Sequence, residues 1–235
     1  MLIQNAWLTG AVALRDAAVR AVLALTGLGF LAAQWPGLFE VAEGDSLRPD
    51  RVWSAAFLGA VALAALVPIQ RWDQVRSGSA FSTQSRAPGF PQAWIIGIWL
   101  GSIVVALGLP ALAAAWLLIV SGTGSPSLVA LVTILAAVIV TAAIASALST
   151  ILGRVPSLLV MASLWIIGAI ASRARLPGGD VVTIILPPVR LLSFATRTQW
   201  AGSPEAHVGS MGLLAVLVTA AALAAAVGMA RSRWN

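Results

Sequence analysis

AWIIGIWLGSIVVALGLPALAAAWLLIV, residues 93–120, runs without a single charged side chain. About 20 apolar residues in a helix span the roughly 30 Å hydrocarbon layer of a bilayer, so this stretch exceeds one crossing. A tilt, or a break at Gly108-Leu109-Pro110, absorbs the excess. Working outward, five further apolar stretches reach a similar length, at about 18–35, 52–70, 127–152, 156–172 and 208–230. The expected fold is therefore all-α: a single transmembrane domain, 1–235, of six helices, a polytopic integral membrane protein.

Composition agrees. Of 235 residues, 60% are hydrophobic and 9% charged, against about a quarter charged in a soluble domain. The basic residues are fourteen arginines with no lysine, and cysteine and tyrosine are absent. Without lysine a phosphate-binding GxxxxGK[ST] loop cannot be built, and Schiff-base catalysis is excluded. Without cysteine there are no disulfides, thiolate metal sites or thiol nucleophiles. The net charge of +6 is spread between apolar runs, which reads as topology and not as a nucleic-acid surface.

Placing the N-terminus inside assigns Arg15, Arg20, Arg71, Arg76, Arg86, Arg154, Arg231 and Arg233 to the cytoplasmic face, against Asp16 and Asp73 alone. The outer face then carries Arg48, Arg51, Arg173, Arg175, Arg190 and Arg197, balanced by Glu40, Glu43, Asp45, Asp50, Asp180 and Glu205. Arginine bias thus predicts both termini cytoplasmic. Trp7, Trp35, Trp53, Trp72, Trp94, Trp116, Trp200 and Trp234 fall near span ends, at the level amphipathic rings prefer. The first residues lack a basic n-region, and Arg15 and Asp16 interrupt the apolar stretch, so no cleaved signal peptide is expected.

Residues 1–16 alternate Leu2, Ile3, Trp7, Leu8, Val12 and Leu14 with Gln4, Asn5, Thr9, Arg15 and Asp16. This loose amphipathicity predicts an interfacial helix. Gly122-Thr123-Gly124 before Pro126 turns spans three and four into a hairpin, and Gly153-Arg154-Val155-Pro156 does the same for four and five. The outer segment 173–207 holds two short apolar pieces, 181–186 and 191–195, broken by Pro187-Pro188. These form either a re-entrant pair of half-helices or a periplasmic loop.

Little in the spans can perform chemistry. All eight acidic residues lie outside them and Arg20 sits near a span end, which disfavours proton-coupled transport. His207 and Gly209-Ser210-Met211-Gly212 outline an intramembrane serine-protease motif, but a serine needs its base on a facing helix. Small residues at helix interfaces account for this stretch and for Ala136, Ala137, Thr141, Ala142, Ser146 and Ser149 more simply. No catalytic residue and no metal ligand is assigned, and the chain is not expected to be an enzyme.

The cytoplasmic segment 71–92, Arg71-Trp-Asp-Gln-Val-Arg-Ser-Gly-Ser-Ala-Phe-Ser-Thr-Gln-Ser-Arg-Ala-Pro-Gly-Phe-Pro-Gln92, combines charges, a central glycine and prolines directly before the third span. Here the chain resembles the permease subunits of ABC-2 type exporters of the six-span type. Asp73, Arg76, Gly78, Ser79, Phe81, Arg86 and Pro88 follow that family's pattern, while Asp73-Gln74 stands where glutamates are frequent and Gly97-Ile98 where Gly-Lys is frequent. Leu107-Gly108-Leu109-Pro110 is similar to the haem-exporter branch, and no haem is assigned on it.

The resemblance implies a coupling helix in 71–92 that docks on separate cytoplasmic ATPase subunits. Asp73, Arg76, Gly78, Ser79, Phe81 and Arg86 would lie in it, and Arg154 would make a second contact. It further implies ATP and magnesium bound by those partners and no cofactor in this chain. The remaining expectations are a second permease copy or similar chain, a bacterial inner-membrane location and a re-entrant hairpin before the last span. The competing expectation is a membrane scaffold or assembly subunit without transport.

Overall fold

The computed structural model describes residues 2–33, 47–77, 91–121, 128–174 and 204–234. These form seven helices: α1 Leu2–Ala13, α2 Ala17–Ala33, α3 Leu47–Ser77, α4 Gln92–Ser121, α5 Leu128–Ile151, α6 Arg154–Ala174 and α7 Pro204–Trp234. No strand occurs among the described residues. Each expected span coincides with a helix. Three of them contain stretches long and apolar enough to cross a membrane, Val52–Arg76, Gln92–Ile119 and Ile134–Ile151. The described apolar portions of the others, Ala17–Ala32, Arg154–Ile166 and Ala215–Arg231, are shorter.

α3 is the hub, packed against α2, α4, α5 and α6, while α7 lies mainly along α5. The core is built from small and β-branched residues, among them Ala60, Val61, Ala64, Val67, Ala106, Ala137, Val140 and Ala142. Between helices in lipid the driving force is close packing, and such side chains allow it. Buried hydroxyls close onto their own helices: Thr26 Oγ1 donates to Val22 O (2.8 Å), Ser102 Oγ to Ile98 O (2.7 Å) and Ser146 Oγ to Ala142 O (2.7 Å). A polar atom thereby enters the bundle without losing a hydrogen bond.

Of the tilt and the break offered for the excess length of α4, the break does not occur, since the helix runs unbroken across Gly108-Leu109-Pro110. One expectation changes in detail. α3 does not stop at residue 70 but continues two turns, through Ser77, because Trp72 and Val75 pack into a cluster with Trp94, Ile95, Ile98, Ala226 and Ala230. The start of segment 71–92 is therefore the end of α3. The re-entrant or loop segment between spans five and six lies mostly outside the described residues.

The N-terminal helix is present, with Asn5 and Thr9 turned inward and Gln4 exposed. Asn5 and Thr9 are buried, Thr9 with 1% exposure, whereas Ile3 and Trp7 are 85% and 77% exposed. α1 lies on α4 at Gly97 and Gly101, where a Cβ would stand 2.6 Å from the Asn5 Cβ and 2.6 Å from the Ala6 carbonyl oxygen. Only glycine allows that approach. Apolar side chains also face outward on the other helices, including Leu25 and Leu28 on α2, Val104 and Leu112 on α4, Leu159 and Ile166 on α6, and Val216 and Leu217 on α7. A perimeter of this kind marks a membrane-embedded protein.

Candidate coupling site

The charged end of α3, the uncharged end of α5, the start of α6 at Arg154 and the last turns of α7 gather at one end of the bundle. At this end the polar link between α3 and α5 runs through Arg76. An α-helix leaves its last four carbonyls without intrahelical donors and carries partial negative charge there. At the end of α5 those carbonyls meet the Arg76 guanidinium: Nη2 donates to Ser149 O (2.6 Å) and Thr150 O (2.5 Å), and Nη1 to Leu152 O (3.1 Å). The fixed fork of an arginine suits three converging acceptors as a lysine ammonium does not. The acceptor turn is itself well ordered, since Ser149 Oγ donates to Ser146 O (2.9 Å), Thr150 Oγ1 to Ala147 O (2.7 Å) and Leu152 N to Leu148 O (2.8 Å). Leu152 and Gly153 then turn the chain directly into α6.

One turn earlier on α3, Arg71 Nη1 donates to Gln74 Oε1 (3.2 Å), and its guanidinium lies 6.0 Å from the centre of the Trp94 ring. That is the outer limit of a cation–π contact. Trp72, on the buried side, is 1% exposed. Gln70, 4% exposed, donates through Nε2 to Asp16 Oδ1 (3.0 Å), and the same carboxylate oxygen accepts from Ala18 N (2.8 Å), capping α2. A cavity of about 10 Å³, room for about one water, opens here between Thr9, Ala13, Asp16, Gln70, Arg71 and Gln74.

Of the expected coupling residues, Asp73 and Arg76 are half-buried in the last turns of α3. Arg154 is exposed in the first turn of α6, three positions beyond the end of α5 that Arg76 grips. A cation in the first turn opposes the helix dipole. Its place there is not explained by helix stability. Gly78, Ser79, Phe81 and Arg86 lie outside the described residues. Among the described residues no cluster of histidine, cysteine or carboxylate side chains has the size of a metal site. His207 and Ser210 fall on the same helix, α7.

Sequence reasoning missed the partners of Arg76 and Asp16. An N-cap signal was present at Asp16, an aspartate directly before an apolar helix. No local signal joins Arg76 to carbonyls more than 70 residues away. Compared with protein-family models, curated proteins and solved structures, the chain gives no significant match.

Proposed function

We propose that this chain is the membrane-spanning permease subunit of an ATP-driven transporter of the ABC-2 type, working as an exporter in a bacterial inner membrane. It crosses the bilayer six times, with both termini and segment 71–92 on the cytoplasmic side. The observation that carries the reading is the Arg76 grip on α5. The cytoplasmic segment resembling a coupling element leaves α3 directly beyond this residue. A displacement of that segment is delivered through Arg76 to α5 and, across Leu152-Gly153, to α6.

The residues divide accordingly. Gly78, Ser79, Phe81 and Arg86, with Asp73 at the base of the segment, form the docking element for a cytoplasmic ATPase, and Arg154 is the second contact. Arg76 positions and transmits and does not dock. ATP and magnesium belong to the partner. Six spans supply half of a usual transmembrane assembly of this type, and a second copy or a similar chain completes the pathway.

The first test is purification from the native host in mild detergent, with and without crosslinking. A roughly stoichiometric P-loop ATPase is the expected companion. Its absence after crosslinking would discard the transporter reading and leave the scaffold. In the reconstituted complex, R86E/R154E should abolish the dependence of ATP hydrolysis on the membrane subunit while the chain stays inserted. Unchanged dependence would remove these residues from the contact.

A further inference from the structure

The corner between α1 and α2 has a surface that the transport reading does not use. The outward face of α1 carries Ile3, Trp7 and Leu8 with Gln4 as its one exposed polar side chain, and Leu14, 53% exposed, follows the helix and leads directly into Arg15. Arg20, one turn into α2, is likewise exposed. Asp16, between the two arginines, directs Oδ1 at the backbone of α2 and at Gln70. Among the described residues neither arginine is engaged by an acidic side chain.

The Asp16–Gln70 bond also fixes the height of this corner. Gln70 is the last residue of α3 before the charges begin at Arg71. Arg15 is therefore level with the edge of the apolar span, and Arg20 lies about one helical turn further in. At that depth a long arginine stem lies along apolar surface while its guanidinium reaches the headgroups.

We propose that the α1–α2 corner binds an anionic phospholipid: Arg15 and Arg20 take the headgroup phosphate, and the outer face of α1 lies along the acyl chains. Charge complementarity selects the headgroup, since juxtamembrane arginines attract anionic lipid. Leu25 and Leu28 of α2 are exposed as well, as are apolar residues of α4, α6 and α7, so the face belongs to an apolar perimeter whose occupant is lipid and not to a separate protein groove. The inference rests on membrane embedding alone and is independent of any ATPase.

The test uses the full chain in nanodiscs of phosphatidylcholine with a minority of phosphatidylglycerol, counting retained lipids by native mass spectrometry and following thermal unfolding. Wild type should retain phosphatidylglycerol selectively and gain melting temperature from it, and salt should weaken both. R15Q/R20Q should lower the selectivity about fivefold for each arginine removed, R15K/R20K should restore most of it, and R231Q should leave it intact. Equal selectivity in wild type and R15Q/R20Q overturns the proposal, as does an equal loss in R231Q. Stabilisation by phosphatidylglycerol that salt does not weaken overturns it on the wild-type protein alone.

Discussion

Arg76 stands out in the sequence, and the structure adds partners within the chain that the sequence reading did not name. Its position after an apolar span and before a glycine drew attention to it as a cytoplasmic contact, yet its guanidinium is committed to Ser149, Thr150 and Leu152. Hydrogen bonds to charged groups contribute about 2 kcal/mol when partly buried. R76A should lower stability by about that amount, visible as a fall in melting temperature in detergent. R76K should recover less than half, because a single nitrogen on a shorter side chain would have to reach the carbonyls that Arg76 meets with two. Full recovery by lysine would mean that charge alone holds α5. The Asp16 cap was legible from residue type, while its second acceptor role toward Gln70 depends on packing of α1 and α2 against α3 that no local pattern encodes.

Helices were the most legible level. Apolar runs bounded by Gly-Pro turns located α4, α5 and α6 to within about two residues, since span length and turn chemistry are local properties. The direction in which a helix faces is not local. In α1 the same alternation that suggests polar residues toward water places Asn5 and Thr9 against the glycines of α4, because lipid is the outside solvent and the glycines leave room only for close approach. Gly101→Leu should therefore lift α1 from α4. Overpacking of this kind costs about 1–3 kcal/mol. The native chain has no cysteine, so a T9C reporter is unambiguous: buried and slow to react with maleimide on its own, and fast in the G101L background. Slow labelling in both would place the glycines outside the packing of α1.

At the scale of the molecule, the apolar perimeter and the end that gathers Arg71, Asp73, Arg76, Arg154 and Arg231 define how the bundle meets its surroundings. The 71–76 turns of α3, the α5–α6 turn and the last turns of α7 share that end. Arginine bias had grouped the same segments, since both follow from an antiparallel succession of helices. If this end is cytoplasmic, R154C and R231C should react with an impermeant thiol reagent only after the membrane is opened. Labelling of either in intact spheroplasts would reverse the orientation. Segment 78–90 holds Gly78, Ser79, Phe81 and Arg86 of the expected docking residues.

The reach of Arg76 along the chain carries a consequence for synthesis. Its acceptors are translated more than 70 residues after it, so α3 enters the membrane with its terminal guanidinium still hydrated, and the grip closes only once α5 has been inserted. A nascent chain arrested before residue 149 should show the end of α3 open to protease, and one extended through α6 should protect it. The charged end is in this sense finished last, after the helices it joins are already in place.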